Sequence, residues 1–362
     1  MRVAIFIPSL DGGGAERVVV LLANELSTRG IGVDLLLVEK KGPHVDSLSR
    51  QVNVVDLAKK GVLASFFAIS KYIKDNEPDF FISHLEHANI VTALVKVFSK
   101  NVKTKFLLTE HVAPSEWFKN ARLLKDRVVH VLGKCFYRYA DHVIAVSKGV
   151  AKDVISFYGI SNDKVSVIYN PVIGKDLMAR SCAEFVPLFD EDADYILGMG
   201  RLVEQKDFSV LIEAFKILKK SRKLNLLILG EGAQRRLLED LIKKYGLQDH
   251  IKLPGHLANP YPYLKRAKVF VLSSRREALP TVLIEALALG VAVVSTNCPY
   301  GPAEILDNGR LGRIVEVGNA TALAAAIEKT LESRLPEKTS EMKEYTVDFA
   351  VDAYMKLLKG IS

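Results

Sequence analysis

The sequence has few of the residues that build disulfide-held or metal-held folds. It contains 3 cysteines in 362 residues, Cys135, Cys182 and Cys298, and none of them has CxxC spacing. This argues against a disulfide framework and suits a reducing compartment. No apolar run reaches the roughly 18 residues that a membrane span needs. The apolar amino terminus leads into a glycine-rich loop without a signal-peptide cleavage pattern, so we expect a soluble cytoplasmic protein.

Several ligand-binding signatures are missing as well. The run Gly12–Gly14 is not the GxGxxG fingerprint of a dinucleotide site, and no GK[ST] follows it as in a P-loop. A simple tight turn and a phosphate or sugar cradle are both open interpretations of it. The DxD spacings of the sequence fall within residues 190–194, in the aperiodic connection before the second run of strands and helices, and no His/Asp cluster at metal-ligand spacing accompanies the candidate loops, so we expect no metal.

The charge of the chain is unevenly distributed. The net charge is +8, and residues 1–172 hold 23 Lys/Arg against 17 Asp/Glu. The excess is concentrated within residues 96–105 and 119–138. Such a face suits anionic lipid or a pyrophosphate-bearing acceptor, and it equally fits a solvated surface. A hydrophobic content of 49% with 25% charged residues is typical of a globular protein.

Strands and helices alternate along the chain in two successive runs. The pattern stops at Asn170-Pro171-Val172 and restarts with the strand 194–199. This predicts an α/β protein with an N-terminal Rossmann-like domain, residues 1–172, and a second one, residues 173–338. A last helix over 339–358 has apolar residues spaced for one packed face, and it falls in a terminal segment, residues 339–362.

The stretch Ser273–Gly290 carries the strongest candidate site. A buried strand, Val269–Leu272, comes before it, and a helix begins near Pro280. Glu277 lies in the loop and Glu285 inside the helix. Backbone N–H groups at a helix start favour phosphates, and a carboxylate accepts hydrogen bonds from hydroxyls. The pattern suits a phosphorylated sugar, and an ordinary βα unit with Glu277 facing water is the alternative.

Two other strand ends add candidates. Arg201 and Lys206 follow the strand 194–199, where they could clamp a diphosphate in place of Mg²⁺ or be two solvated surface charges. His111 follows the strand 105–109, at the sheet edge where open α/β sheets bind ligands, although a lone histidine there is often a plain loop residue.

These motifs together resemble the retaining glycosyltransferases of family 4, which have the GT-B fold of two Rossmann-like domains facing across a cleft. The second half carries the match in Gly200-Arg201-Leu202 with Lys206, in Gly230-Glu231-Gly232, in the E-x7-E pair Glu277 and Glu285, and in Gly301–Glu304 with Gly312. The first half adds Gly12–Arg17 and the segment from Ala145 to Pro171. One departure is Ala278, where the family usually has glycine, so the backbone of this loop could differ.

The resemblance implies a role for each matching residue. Arg201 and Lys206 would bind the donor diphosphate, Glu285 the ribose hydroxyls and Glu277 the donor sugar. His111 would lie near the sugar and acceptor, and the terminal segment would pack back on the first domain. The remaining implied residues come from backbone segments: Gly13, Gly14, Leu279, Pro280, Thr281 and Val282 at the phosphates, and Gly230, Gly232, Gly255 and His256 flanking the base.

The function implied is metal-independent, retaining transfer of a hexose or N-acetylhexosamine from a UDP-sugar to a glycan acceptor. We expect that acceptor to be linked to polyprenyl pyrophosphate or to be another bacterial surface-glycan precursor. The basic first domain would contact the inner face of the cytoplasmic membrane peripherally, and no nucleic acid is expected as a partner. A nucleotide-sugar epimerase or hydrolase of the same fold, or a non-catalytic nucleotide-sugar-binding protein, are the alternatives.

Overall fold

The computed structural model of the protein describes residues 1–11, 13–99, 102–120, 124–190, 193–220, 222–333 and 340–361. Gly12 of the predicted loop, and Thr339, where the last helix is predicted to begin, lie outside these residues. The chain forms two compact units. Unit 1 comprises residues 1–172 and 344–362, and unit 2 comprises residues 173–343.

Unit 1 is built on one parallel sheet of seven strands in the order β3-β2-β1-β4-β5-β6-β7. Val3 of the central strand pairs with Val33 on one side and Phe80 on the other. The inner strands of this sheet are buried, as their continuous apolar runs predict, whereas the two edge strands are only partly buried. The strands are β1 (Arg2–Ile7), β2 (Gly32–Leu37), β3 (Asn53–Asp56), β4 (Phe80–His84), β5 (Lys105–Glu110), β6 (His142–Ala145) and β7 (Val165–Val167).

Helices connect and cover the strands of unit 1. A short helix over Pro114–Asn120, which the sequence pattern did not predict, packs Trp117 against His130 with ring centroids 4.4 Å apart. The helices are α1 (Gly14–Thr28), α2 (Phe66–Asn76), α3 (Glu86–Phe98), α4 (Pro114–Asn120), α5 (Leu124–Phe136) and α6 (Lys148–Tyr158).

The terminal segment is two helices rather than the one predicted. A 3-10 helix over Ser340–Tyr345 is followed by a separate α-helix, Val347–Gly360. Thr346 separates them, because its backbone is extended and its side chain accepts a hydrogen bond from the Phe349 amide. Val351, Tyr354 and Leu358 of the α-helix are buried in the same core as β1 and α1.

Unit 2 repeats the architecture with a parallel six-stranded sheet in the order β10-β9-β8-β11-β12-β13. The strands are β8 (Tyr195–Met199), β9 (Asn225–Leu229), β10 (Ile251–Gly255), β11 (Val269–Leu272), β12 (Val293–Thr296) and β13 (Arg313–Val315). The helices are α7 (Asp176–Ser181), α8 (Phe208–Leu218), α9 (Arg235–Lys244), α10 (Tyr261–Arg266), α11 (Thr281–Ala288), α12 (Pro302–Ile305) and α13 (Ala320–Glu332). The helix of unit 1 over Val347–Gly360 is α14.

The predicted α/β class with two parallel sheets is therefore confirmed. In unit 2 the first strand, β8, lies between β9 and β11, so the chain reverses its direction of growth across the sheet there. Parallel α/β sheets bind ligands beyond the carboxyl ends of their strands at such a reversal. No helix in the described part of the chain has the length and hydropathy that a membrane crossing requires.

Candidate functional site

The loops after β8 and β11 join in a contact between opposite charges. Lys206 Nζ lies 2.5 Å from Glu277 Oε1, although 71 residues separate the two in sequence. Both side chains are largely buried, with exposed fractions of 16% and 8%. Ser274 Oγ donates a second hydrogen bond to Glu277 Oε1 at 2.7 Å. Glu277 therefore does not face water as in an ordinary βα unit, and its carboxylate is held in one orientation.

Backbone hydrogen bonds connect the same two loops. The Arg275 amide donates to the Gln205 carbonyl at 2.8 Å, and Gln205 Nε2 donates to the Arg276 carbonyl at 2.9 Å. Ser273 Oγ donates to the carbonyl of Lys206 at 2.8 Å. Polar groups on adjacent strand ends satisfy each other in this way, which positions both charged side chains before any ligand binds.

Arg201 lies on the same loop as Lys206 but is exposed. The described residues offer its guanidinium no ion-pair partner. A planar guanidinium with free donors binds phosphate oxygens in pairs, whereas a lysine acts as a point charge. The structure thus places one cation in a buried pair and leaves the other available to an anion.

Glu285, the second acid of the predicted pair, is 3% exposed within α11. Tyr261 Oη, at the start of α10, donates a hydrogen bond to Glu285 Oε1 at 2.9 Å. A buried carboxylate needs such partners, because an unsatisfied one is costly to desolvate. Tyr261 was not predicted, since nothing in the sequence connects it with α11.

The amino end of α11 is open, as the predicted phosphate site requires. Pro280 precedes the first helical residue, and within the described residues no side chain caps this end. The Leu283 N–H donates to the Pro280 carbonyl at 3.0 Å, whereas the N–H groups of Thr281 and Val282 at the helix start have no intrahelical acceptor, so their partial positive charge suits an anion. Thr281 and Val282 are half-buried, while Leu279 and Pro280 are buried.

Ala278 fits this loop without strain. Ala278 does not have a positive φ. Glycine's wider conformational range is therefore not required at this position. The expectation that this backbone differs from that of relatives with glycine stays a prediction.

The glycines predicted to flank the base lie on neighbouring strand ends. The Gly230 amide after β9 donates to the carbonyl of Gly255 in β10 at 2.9 Å, and His256 next to it is exposed. Gly230 has a φ of +140°, and a Cβ there would lie 1.9 Å from the Gly200 carbonyl oxygen. At Gly232 a Cβ would lie 2.4 Å from the Leu202 carbonyl oxygen. The absence of side chains thus lets these loops pack backbone to backbone.

In unit 1, neither Gly13 nor Gly14 of the predicted glycine loop has a positive φ. Gly13 is extended, with φ −81° and ψ 171°, and caps α1, which begins at Gly14. The tight turn that the run allows is therefore not made at either residue. Gly13 and Gly14 instead place the amino end of α1 directly after β1.

His111 is joined to a second histidine that the sequence did not single out. His84 Nδ1 and His111 Nε2 are 2.9 Å apart. Burial lowers the pKa of His111 to about 4, and burial with the neighbouring ring lowers the pKa of His84 well below its ordinary value. Both rings are therefore neutral near pH 7, with one nitrogen donating to the other. His111 is thus more than a plain loop residue.

Glu110, next to His111, is a fully buried acid that the sequence pattern also missed. It accepts hydrogen bonds from Tyr137 Oη and from Asn89 Nδ2, the latter at 3.1 Å. Burial, followed by the neighbouring Glu86, raises the pKa of Glu110 to about 8. Glu110 is therefore largely protonated at pH 7. Its only sequence signal was its position directly after the predicted strand 105–109.

We expect Glu110→Gln to weaken the pH dependence of the stability of unit 1. The folded pKa lies above the usual value, so the native state holds a proton that the unfolded chain releases. The free energy of unfolding of the wild type should then fall, by on the order of a few kcal/mol, as the pH rises from about 5 to about 8. Glutamine cannot ionise, so the variant should lose less over this interval.

Urea unfolding at both pH values, followed by fluorescence, measures this difference. Trp117 is the single tryptophan of the chain and lies in unit 1, so it reports that unit. Glu77→Gln, at an exposed acid of the same unit, is the matched control and should follow the wild type. Equal slopes for Glu110→Gln and wild type would contradict a raised pKa at Glu110.

Side chains that could hold a metal ion are not grouped in the part of the chain that the structure describes. There, three or more His, Cys, Asp or Glu residues nowhere come together at metal-binding distances. The loops after β8 and β11 instead carry Arg201, Lys206 and Glu277, and Arg275 pairs with Asp207 beside them at 2.8 Å. In unit 2, cations and backbone N–H groups are therefore available to bind a phosphate.

Comparison with known proteins finds glycosyltransferases that match most of the chain. Residues 12–173 match the family described as Glycosyltransferase Family 4, and residues 182–348 match Glycosyl transferases group 1. An uncharacterized glycosyltransferase of Methanocaldococcus jannaschii is 34% identical over 68% of this chain and 62% of its own length. The N-acetylgalactosamine-N,N'-diacetylbacillosaminyl-diphospho-undecaprenol 4-alpha-N-acetylgalactosaminyltransferase of Campylobacter jejuni is 30% identical over 97% of this chain and 96% of its own length.

A solved structure agrees at the level of the fold. Anabaena HepE in complex with UDP-glucose is 18% identical and superposes with a TM-score of 0.77, covering 99% of this chain and 100% of that chain. The resemblance seen in the motifs is confirmed: the chain belongs to the family 4 glycosyltransferases, whose two Rossmann-like sheets it shares.

Proposed function

We propose that this glycosyltransferase transfers a hexose or N-acetylhexosamine from a UDP-sugar to a lipid-linked glycan, with retention of anomeric configuration. The observation that carries the proposal is the buried pair of Lys206 and Glu277 at the strand ends of unit 2, 2.5 Å apart. It joins a cation suited to a diphosphate with an acid suited to sugar hydroxyls. A nucleotide sugar has these two kinds of group adjacent to each other.

If the donor is a UDP-sugar, each remaining residue of the site would bind one part of the nucleotide. Exposed Arg201 and the open amino end of α11 would bind the two phosphates, and Glu285 would bind the ribose hydroxyls. The Gly230 and Gly255 strand ends would leave room for the base. The structure of HepE was solved with UDP-glucose, which supports a uridine donor here.

The proposed reaction requires no covalent intermediate with the protein. The acceptor hydroxyl oxygen bonds to the anomeric carbon on the face from which UDP departs, and the bond from that carbon to the phosphate oxygen breaks. The acceptor proton passes to the departing phosphate oxygen, so charge balances without a further reactant. Lys206, Arg201 and the N–H groups of α11 would stabilise the charge that develops on UDP. We propose that these groups serve in place of a metal.

The acceptor is proposed to be linked to polyprenyl pyrophosphate. The Campylobacter relative is named for a diphospho-undecaprenol substrate, and residues 1–172 here have a net charge of +6. Those charges suit a pyrophosphate or an anionic lipid surface. His111 remains the acceptor-side residue that we propose for unit 1, and we place the protein peripherally at the inner face of the membrane. The relatives named for an activity are transferases, which favours transfer over epimerisation, hydrolysis or mere binding.

A thermal-shift comparison of UDP, GDP and ADP tests the donor assignment. A ligand that binds only the folded state stabilises it by about 2.7 kcal/mol at a concentration of 100 Kd. At equal concentrations the nucleotide with the lowest Kd therefore raises the Tm most, and we expect that nucleotide to be UDP. Arg201→Ala should lose most of this shift, while Arg236→Ala, on α9, should retain it. No stabilisation by UDP at millimolar concentration would contradict the proposal. Formation of an epimer, or hydrolysis at the rate of transfer, in the absence of acceptor would favour the alternative enzymes.

A further inference from the structure

Large apolar side chains of unit 1 project into solvent beside one another. The exposed fractions are 72% for Leu63, 82% for Phe67 and 69% for Phe98. The ring of Phe66 connects them, with centroids 5.2 Å from Phe67 and 5.9 Å from Phe98. We call Leu63, Phe66, Phe67 and Phe98 the aromatic patch. Single exposed apolar residues are ordinary, but a contiguous group of this size marks a contact surface.

Phe66 packs against the hydrophobic core beneath the aromatic patch, whereas Leu63, Phe67 and Phe98 are exposed. Helix α2 buries Ile69, Tyr72 and Ile73 on one side, and those residues pack in the core of unit 1. Leu63 and Phe67, four residues apart, lie along another face, and Lys71 continues that face one turn later. The helix is thus apolar on two faces, only one of which is used in folding.

Basic residues predominate along the segment that carries Leu63, Phe66 and Phe67, and Asp56 and Asp75 border it. Residues 57–74 contain Lys59, Lys60, Lys71 and Lys74, and no Asp or Glu. All four lysines are exposed, and Lys71 makes an ion pair with Asp75 at 2.6 Å. An apolar helix face with lysines beside it is typical of segments that lie on an anionic bilayer, where apolar groups enter the interface and lysines meet the phosphates.

We propose that the aromatic patch and its lysines seat unit 1 on an anionic lipid surface. A second copy of the chain is the less favoured occupant, because a symmetric contact at this patch would bring the same lysines together. Charge complementarity therefore favours lipid over self-association. The inference rests on the lipid-linked acceptor of the proposed function, since it identifies the surface that would bring the enzyme to that acceptor.

Vesicle flotation with the full chain tests this surface. Phosphatidylcholine vesicles with and without phosphatidylglycerol are the probes. We expect wild type to bind the anionic vesicles, Phe67→Ser/Phe98→Ser to bind about tenfold more weakly, and Lys59→Glu/Lys60→Glu to lose about fivefold or more per lysine. Leu237→Ser, at a 51% exposed residue of unit 2, and Lys220→Glu/Lys243→Glu are the matched controls and should bind as wild type.

A spectroscopic readout separates insertion from mere electrostatic attraction. Phe67→Trp in a Trp117→Phe background places the single tryptophan in the aromatic patch. Its emission should shift to the blue on anionic vesicles and be quenched by brominated lipid tails. Unchanged emission, or equal vesicle binding by the patch variants and wild type, would overturn the proposal.

Two further measurements distinguish lipid binding from self-association, and the membrane surface from the donor site. Sedimentation showing a dimer that Phe67→Ser dissociates would assign the aromatic patch to a second copy instead. The thermal shift with UDP should be the same for wild type and patch variants, since none of the substituted residues belongs to the donor site. Loss of vesicle binding with an intact UDP shift supports the membrane surface, whereas vesicle binding without any UDP shift would contradict the donor assignment alone.

Discussion

Glu277→Gln should reduce kcat/KM for glycosyl transfer roughly 100-fold while leaving the protein folded. The carboxylate is 8% exposed and accepts from both Lys206 and Ser274, so its free lone pairs have a fixed direction. Glutamine has nearly the same shape but lacks the charge, and hydrogen bonds to a charged group contribute about 1.5–3 kcal/mol. Losing one or two such bonds to sugar hydroxyls accounts for the expected effect. Initial rates with a UDP-sugar and a lipid-linked acceptor measure it.

Glu239→Gln is the matched control for this substitution. Glu239 is an exposed acid of unit 2 that also pairs with a cation, Arg235, at 2.9 Å. A carboxylate outside the donor site should tolerate the same exchange, so this variant should transfer at the wild-type rate. Transfer by Glu277→Gln within about threefold of wild type would remove Glu277 from the site.

The contact between Lys206 and Glu277 also predicts how their effects combine. Lys206→Met alone leaves Glu277 buried beside an apolar chain, which is costly because its charge loses its partner. Lys206→Met/Glu277→Gln should therefore lose less activity and stability than the sum of the two single changes. Additive losses would mean that the pair does not act as a unit.

The second large effect is expected in stability, for Gly230→Ala. The new Cβ would lie 1.9 Å from the Gly200 carbonyl oxygen, and alanine would have to adopt a φ of +140°. Strain of this kind and forced displacement of backbone together cost about 2–6 kcal/mol. Because the loops after β8 and β9 would move apart, UDP should also stabilise this variant less than wild type. Urea unfolding followed by far-UV circular dichroism measures the first effect.

Gly246→Ala separates backbone strain from the steric clash. Gly246 has a φ of +63°, and a Cβ there would meet nothing within 4 Å. This control should lose only the cost of a left-handed alanine, about 1–2 kcal/mol. If Gly230→Ala were no less stable than Gly246→Ala, the close approach of Gly230 to Gly200 would not be required by the fold.

The local sequence pattern predicted the bounds of some elements correctly, but it missed helix α4 and the break in the terminal helix. The strand Val269–Leu272 has the predicted bounds, because its apolar run and the turn residues after it act over a few neighbouring residues. Helix α4 was missed since it is only 7 residues long and lacks a clear period. The terminal helix was predicted as one because its apolar spacing continues across Thr346, where the side chain starts a new helix.

The amino-acid pattern was enough to predict the two runs of strands and helices, the family, and the loops that carry Arg201, Lys206, Glu277 and Glu285. Such features depend on neighbours in the chain, whose periods and turn residues can be read directly. Which of these residues meet depends on how the strands and helices pack. Lys206 reaches Glu277 because β8 and β11 are adjacent in the sheet, and His84 meets His111 because β4 and β5 are adjacent. Tyr261 and Glu110 instead find their partners through helices, since Tyr261 in α10 bonds Glu285 in α11 and Asn89 in α3 bonds Glu110. Strand order and burial are properties of the whole packed unit, so no local stretch encodes them.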